Sequence, residues 1–240
     1  MSERAVVIYS GGADSTVILH HCLKHHDETY ALTFNYNQRH KKEIYVAEAY
    51  IYNYHSYHGS KLKGHKVIDL GFYGELANSS ALTNAEIEVP KMKDVIGDPQ
   101  NAAYCPNRNM VMLSIAAAYA ESVQANNVYY GAAAVDNLSG YFDCTDIFLE
   151  TLNSALALNR RNTIKIHAPL ITMSKKEIIK YGIELGVDFS KTLTCYNGGD
   201  IACDVCPSCS ARIKGFMDSG YKDPLIYNRD INWKECKDIK

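Results

Sequence analysis

The residues best suited to chemistry near the start of the chain form a short loop, SGGADS, from Ser10 to Ser15. The loop follows an apolar run and precedes a helical pattern. Its two glycines permit tight backbone geometry and the close approach of a ligand. Backbone N–H groups at the start of a helix, together with serine hydroxyls, form a site for an anion such as phosphate. A plain strand-to-helix turn is the alternative, but the complete strand, loop and helix pattern favours phosphate binding.

This loop differs from two common nucleotide-binding loops. A Walker A loop places Lys before its Ser or Thr, and Asp14 stands at that position here. A dinucleotide-binding loop has a third glycine, which is missing. The loop resembles the pyrophosphate loop of the ATP-pyrophosphatase superfamily, whose enzymes cleave ATP between the α and β phosphates. The resemblance implies an ATP site formed by Ser10, Gly11, Gly12, Ala13, Asp14, Ser15 and Thr16.

A second group with chemical potential is a run of four cysteines near the end of the chain: Cys195, Cys203, Cys206 and Cys209. Clustered cysteines in a reducing compartment indicate metal binding. Four thiolates match tetrahedral Zn²⁺, and they leave no open coordination position, so the predicted zinc is structural. An iron–sulfur cluster and unligated thiols are the alternatives.

Strand and helix patterns alternate along most of the chain and must position these groups. This alternation predicts a parallel, doubly wound α/β sheet with right-handed crossovers, in which ligands bind beyond the carboxyl ends of the strands. We expect residues 1–190 to form an ATP-pyrophosphatase α/β domain and residues 191–240 a zinc-binding helical or loop segment. The expected strands are Ala5–Tyr9, Tyr30–Phe34, Lys66–Leu70, Asn127–Tyr130 and Thr163–His167. The expected helices are Ser15–Leu23, Lys42–Tyr57, Met110–Val123, Asp146–Leu158 and Lys175–Leu185.

Composition narrows the class of protein. The 240 residues include 25 Lys and Arg and 27 Asp and Glu, a net charge of −2, which does not favour direct nucleic-acid binding. At 47% hydrophobic residues the chain has material for a buried core. No apolar run approaches the 18 residues of a membrane span. The first residues lack the apolar region of a signal peptide, so a cytoplasmic protein is expected.

Most of the chain resembles the 7-cyano-7-deazaguanine synthase family of queuosine-precursor biosynthesis. Five stretches carry the resemblance: Ser10–Thr16, Thr33–Glu43, Pro106–Asn109, Ser139–Cys144, and Leu193–Gly198 with the three cysteines that follow. The resemblance implies an adenine nucleotide alpha hydrolase-like fold, a homodimer, and the use of ATP, Mg²⁺ and ammonia. Enzymes of the family adenylate the carboxylate of 7-carboxy-7-deazaguanine, form the amide, and activate the amide again to give the nitrile.

The resemblance also implies catalytic roles for four residues. Asp14 would lie near magnesium, and Lys175 near the α-phosphate. Arg39 and Arg108 would neutralise charge on phosphate or on the substrate carboxylate. Simpler alternatives are that Arg39 and Lys175 are solvated surface charges and that Arg108 is a capping or ion-pair residue. Asp143 is interpreted as a possible cap of the next helix.

Five positions depart from the family pattern. Asn37 and Asn107 stand where glycine is usual, Ala134 replaces Glu, Phe142 replaces Pro, and Thr145 replaces Arg. Because these loops are expected to face the acyl acceptor, the substitutions predict retained amide formation and a weakened nitrile step. Another amine, such as a group on a protein partner, is then an alternative acceptor. A tRNA-modifying pyrophosphatase and a non-catalytic nucleotide-binding module are further alternatives.

Overall fold

The predicted parallel sheet is confirmed by the computed structural model, which describes residues 3–58, 61–137, 139–159 and 163–239. In these residues five parallel strands lie in the order β3-β2-β1-β4-β5. They are β1 (Arg4–Ile8), β2 (Glu28–Asn35), β3 (Leu62–Asp69), β4 (Asn127–Tyr129) and β5 (Lys165–His167). The order reverses between β1 and β4, and such a reversal opens a crevice at the carboxyl ends of the strands.

Helices connect the strands. They are α1 (Ala13–His25), α2 (Lys42–His58), α3 (Gly71–Leu76), α4 (Arg108–Ser122), α5 (Ala134–Asn137), α6 (Asp146–Leu156), α7 (Lys175–Glu184) and α8 (Pro207–Ser219). The five predicted helices are confirmed, with ends that shift by one or two residues. Within the described chain no helix is both long and apolar enough to cross a bilayer.

Two hydrophobic cores cover the two faces of the sheet. Successive side chains of β1 point to opposite faces because a strand has a period of two. Val6 packs in the core that contains Leu113 of α4, whereas Val7 packs in the core that contains Val17 of α1 and Ile178 of α7. Burial on both faces explains why β1 is apolar throughout its centre.

Helix α8 carries a buried charged network that joins the C-terminal segment to the rest of the fold. The Arg212 guanidinium makes a bidentate pair with Asp223, with distances of 2.6 and 2.9 Å. It also donates to Thr192 Oγ1 at 2.7 Å, to Thr194 Oγ1 at 3.0 Å and to the Phe189 carbonyl at 3.0 Å. The side chains of Arg212 and Asp223 are 1% and 0% exposed. The hydrogen bond from Arg212 to the Phe189 carbonyl crosses the expected boundary between residues 190 and 191.

Replacing Arg212 by Met is expected to lower the free energy of unfolding by about 3–5 kcal/mol, because the Asp223 carboxylate is left buried without its partner. The matched control is Lys214→Met on the same helix, whose ion pair with Asp218 is exposed and is worth at most about 1 kcal/mol. Urea denaturation of both variants measures the difference. Equal stability of the two variants would contradict this role for Arg212.

Candidate active site and metal centre

The SGGADS loop turns sharply between β1 and α1. Gly11 has a φ of +78°, in the left-handed region, and a Cβ there would lie 2.9 Å from the Glu43 carbonyl oxygen of α2. Both observations require glycine at this position. The Gly11 carbonyl accepts from the Leu193 amide at 2.9 Å, so the phosphate loop contacts the segment that leads into the cysteine cluster.

Hydroxyl groups form hydrogen bonds that fix the shape of the loop at the start of α1. Ser10 Oγ accepts from the Gly12 amide at 3.3 Å and lies 3.1 Å from Ser15 Oγ. The buried Thr16 hydroxyl donates to the Gly12 carbonyl at 2.8 Å, which makes Thr16 a support of the loop. The loop residues that line a cavity are Ser10, Gly12, Ala13, Asp14 and Ser15.

This cavity has a volume of about 260 Å³ and lies at the carboxyl ends of β1 and β4. Its position is the crevice expected at the reversal of strand order. Beside the phosphate loop it is lined by Arg108 and by residues 130–132, which follow β4. The topology therefore brings an anion-binding loop and a cationic side chain into one pocket.

Lys175 reaches the phosphate loop from the first turn of α7. Its Nζ donates to both carboxylate oxygens of Asp14, at 2.6 and 2.7 Å. A Cβ on Gly215 of α8 would lie 2.2 Å from Lys175 Cγ, so glycine at 215 leaves room for the lysine stem. The ion pair is partly buried, at 12% exposure for the Lys175 side chain and 28% for Asp14. This pairing excludes the alternative of Lys175 as a freely solvated charge.

Arg108 is the first residue of α4, and its side chain lines the cavity. Its Nη1 lies 3.4 Å from the Tyr36 hydroxyl, and its guanidinium lies 5.9 Å from the centre of the Tyr36 ring. Within the described residues Arg108 makes no salt bridge with a carboxylate, so the ion-pair alternative lacks a partner. An arginine in this state is available to an anionic ligand.

Arg39 lies outside the lining of the cavity. Its Nη2 donates to the carbonyls of Asn84 and Ile87, at 3.0 and 2.6 Å, and its backbone amide donates to the Leu82 carbonyl. In this structure Arg39 anchors the irregular segment that follows α3. Its predicted contact with phosphate or carboxylate stays a prediction.

Three carboxylates that were not predicted as site residues also line the cavity: Glu43, Asp136 and Asp143. Burial raises the pKa of Asp136 to about 6, against the lowering effects of the Ala133 amide and the Lys175 charge. Asp143 does not cap α6, since the Thr145 hydroxyl accepts from the Phe148 amide at 3.2 Å in that role. In the sequence, Asp136 and Asp143 could have been found from their position in the connection that follows β4.

The departures from the family pattern do not reach the cavity. Asn37 and Asn107 have φ values of +59° and +54°, a conformation that glycine adopts freely and that asparagine tolerates best among other residues. Thr145 caps α6, and the Phe142 ring packs 5.8 Å from that of Phe148. None of these residues lines the described cavity, and neither does Ala134. The lining of the cavity therefore gives no support to an acceptor pocket altered at these five positions.

The cysteine cluster is confirmed as a candidate metal centre. The sulfurs of Cys195, Cys203, Cys206 and Cys209 all lie within 4.8 Å of one another and are buried. Backbone amides of Cys203, Cys206 and Cys209 each donate to a cluster sulfur at 3.4 Å.

The ionisation of these thiols favours a bound cation. Hydrogen bonds from the thiols of Cys206 and Cys209 hold the pKa of Cys195 well below its usual range. The same contact with Cys195 raises the pKa of Cys206 to about 12. Four neighbouring thiolates would repel one another, so all four can ionise together only around a cation.

Together, the sheet and the phosphate loop define an ATP-using enzyme of the pyrophosphate-loop class. The chain belongs to the family described as queuosine biosynthesis protein QueC, whose sequence profile matches residues 4–220. This membership confirms the prediction of an ATP-dependent synthase.

Relatives support this assignment, and one solved structure shares the fold. The 7-cyano-7-deazaguanine synthase of Psychromonas ingrahamii is 40% identical over 227 residues, covering 95% of this chain and 99% of that protein. That of Thermoplasma volcanium is 41% identical over 235 residues, covering 95% and 92%. The structure of NMN synthetase from Francisella tularensis has a TM-score of 0.50 at 20% identity, covering 85% of this chain and 71% of that one. The structural likeness concerns the fold.

Proposed function

We propose that this enzyme converts 7-carboxy-7-deazaguanine to 7-cyano-7-deazaguanine, with ATP and ammonia, through an adenylated carboxylate and an amide. The observation that carries the proposal is one cavity lined by the phosphate loop, including Asp14, and by Arg108. Lys175 donates to Asp14 at the wall of this cavity. The names of the relatives supply the substrate.

The chemistry assigns a task to each part of the cavity. Amides and hydroxyls of the SGGADS loop bind the β and γ phosphates. Lys175 stabilises the negative charge that develops at the α-phosphate, and such stabilisation is usually the largest contribution to catalysis. Arg108 binds the substrate carboxylate and holds it for reaction.

The bond changes balance with two molecules of ATP. A carboxylate oxygen attacks the α-phosphorus and releases pyrophosphate, and ammonia then attacks the acyl carbon and releases AMP. In the second round the amide oxygen attacks a second α-phosphorus and again releases pyrophosphate. Loss of that oxygen with AMP, and of the two N–H protons, forms the nitrile.

Magnesium fits the donors of the same cavity. Mg²⁺ prefers carboxylate and phosphate oxygens, and the carboxylates of Asp14 and Asp136 both line the cavity. When bound, the ion would neutralise part of the polyphosphate charge. Asp14 and Asp136 are the residues that would hold it.

We also propose that the cysteine cluster holds one structural zinc ion. Tetrahedral zinc with Zn–S distances of about 2.3 Å requires sulfurs about 3.8 Å apart, and the cluster is similarly compact. A four-iron cluster binds each cysteine to a different iron, which requires a wider arrangement. All four ligands lie in the 191–240 segment, so the metal would hold that segment together. The homodimer and the cytoplasmic location stay predictions.

The proposal predicts that ATP, ammonium and 7-carboxy-7-deazaguanine yield AMP, pyrophosphate and the nitrile, with the amide as a transient intermediate. Mass spectrometry of a time course measures all four products. Reactions without ammonium serve as the control and should accumulate neither amide nor nitrile. Accumulation of the amide without nitrile would support the prediction of a weakened nitrile step. Release of ADP in place of AMP would contradict the proposal.

A further inference from the structure

We infer that Asp143 accepts two hydrogen bonds from the amino-pyrimidinone edge of the substrate ring and thereby selects a guanine-type ring. The inference rests on the proposed function and extends it to the basis of substrate recognition.

Asp143 is a buried carboxylate without a strong hydrogen-bond donor. The residue is 5% exposed and lines the cavity. Among the residues that the structure describes, the partner of its carboxylate is the Cys144 thiol, with 3.8 Å between Sγ and Oδ1. A thiol is a weak donor, and a buried carboxylate is costly unless it is paired or hydrogen-bonded. Donors on a ligand would satisfy this carboxylate.

The backbone around Asp143 is fixed by other residues. Asp143 lies in a 3₁₀ turn, Phe142–Cys144, between α5 and α6. The Tyr130 hydroxyl donates to its carbonyl at 3.3 Å, and Thr145 caps the helix that follows. The Asp143 side chain makes neither of these hydrogen bonds. Its position at the cavity wall is therefore set by its neighbours.

The charges of the cavity orient the substrate. The pKa of Asp136 is affected by the charges of Lys175, Asp14 and Arg108. The pKa of Arg108 is affected by the charge of Asp143. Arg108 and Asp143 line the same cavity as the phosphate loop. The far edge of a ring whose carboxylate is held by Arg108 can lie against Asp143, because both residues line this cavity.

The substrate carries its carboxylate and its N–H donors on opposite edges, which suits Arg108 at one edge and Asp143 at the other. In 7-carboxy-7-deazaguanine the carboxylate is on the five-membered ring, and the N1–H and the exocyclic amino group lie on the far edge of the six-membered ring. These two donors point the same way, and the two oxygens of a carboxylate accept both, as they accept a bidentate arginine. The aromatic rings of Tyr36, Tyr141 and Tyr196 line the same cavity and suit a planar ligand.

The test compares 7-carboxy-7-deazaguanine with the analogue that lacks the amino group, 7-carboxy-7-deazahypoxanthine. Wild-type enzyme is expected to prefer the amino compound by about 100-fold or more in kcat/KM, since loss of a substrate N–H leaves a buried acceptor unpaired. In Asp143→Asn the preference is expected to fall below about tenfold, because the side-chain amide offers one acceptor and a clashing donor. Asp146→Asn, at an exposed position three residues later, should keep the wild-type preference.

Formation of AMP, read with ammonium present, separates the outcomes. A wild-type preference below about threefold, or an Asp143→Asn variant with an unchanged preference, overturns the inference while the proposed function stands. If Asp143→Asn does not fold, the wild-type comparison decides alone. If wild-type enzyme consumes neither acid, the proposed function fails and the inference fails with it.

Discussion

Replacing Lys175 by Met is expected to lower kcat/KM for ATP by about 100- to 1,000-fold, the loss typical of removing one preorganised group that stabilises transition-state charge. Methionine keeps the part of the stem that packs against Gly215 and removes the ammonium group that pairs with Asp14. The fold should therefore be retained while the charge at the α-phosphate is lost. Steady-state release of pyrophosphate measures the effect.

The neighbouring Lys176 supplies the matched control. It is exposed, so Lys176→Met should keep activity within about twofold of wild type, as surface substitutions usually do. Activity of Lys175→Met within about threefold of the control would contradict the role assigned to Lys175.

Replacing Cys206 by Ser is expected to release the metal and to cause the largest loss of stability of any substitution considered. Structural zinc contributes on the order of 10 kcal/mol of apparent binding free energy in small zinc domains. Cys206 also caps α8, so loss of its thiolate loosens the helix that carries Arg212 and Phe216. Metal analysis after gel filtration, together with thermal unfolding, measures the effect.

Cys236 offers a control for the loss of a thiol as such, because it lies outside the cluster. Cys236→Ser should retain one zinc per chain and an unfolding temperature near that of wild type. Zinc retained at full stoichiometry in Cys206→Ser would contradict the assignment of ligands. An iron content in place of zinc would contradict the identity of the metal.

The parts of the site that are local in the sequence could be predicted from it. The phosphate loop occupies consecutive residues, and the cysteines lie within one short segment, so their spacing indicates their chemistry directly. Arg108 begins α4, whereas Asp136 and Asp143 lie in the connection between β4 and β5. The order of the strands brings these residues to one cavity. No local pattern distinguishes such residues from caps or surface charges.

Arg39 shows a second limit of prediction from the sequence. Its direction is set by the carbonyls of Asn84 and Ile87, which belong to a segment with little regular structure and no periodicity to interpret. Helix α8 was not predicted, although Pro207 at its first residue and Gly220, with a φ of +80°, after its end are typical helix boundaries. The spacing of the cysteines indicates metal binding in that stretch and does not indicate a helix.

Asn37 and Asn107 show why a departure from a family pattern must be judged in three dimensions. In the sequence each replaces a glycine and indicates an altered loop. In the structure each keeps the left-handed backbone that glycine would have provided, and the Asn37 amide also donates to the Gly71 carbonyl at 3.1 Å. The substitution changes the residue and preserves the conformation.

The most direct test of the account is to follow the oxygen atoms of the substrate carboxylate. With both carboxylate oxygens labelled as ¹⁸O, attack of the carboxylate and then of the amide on the α-phosphorus places one ¹⁸O in each AMP released. Mass spectrometry of AMP should therefore show one label in every molecule, with two labelled AMP for each nitrile formed. Unlabelled AMP, or label recovered in inorganic phosphate with ADP as the other product, would contradict adenylation of the substrate.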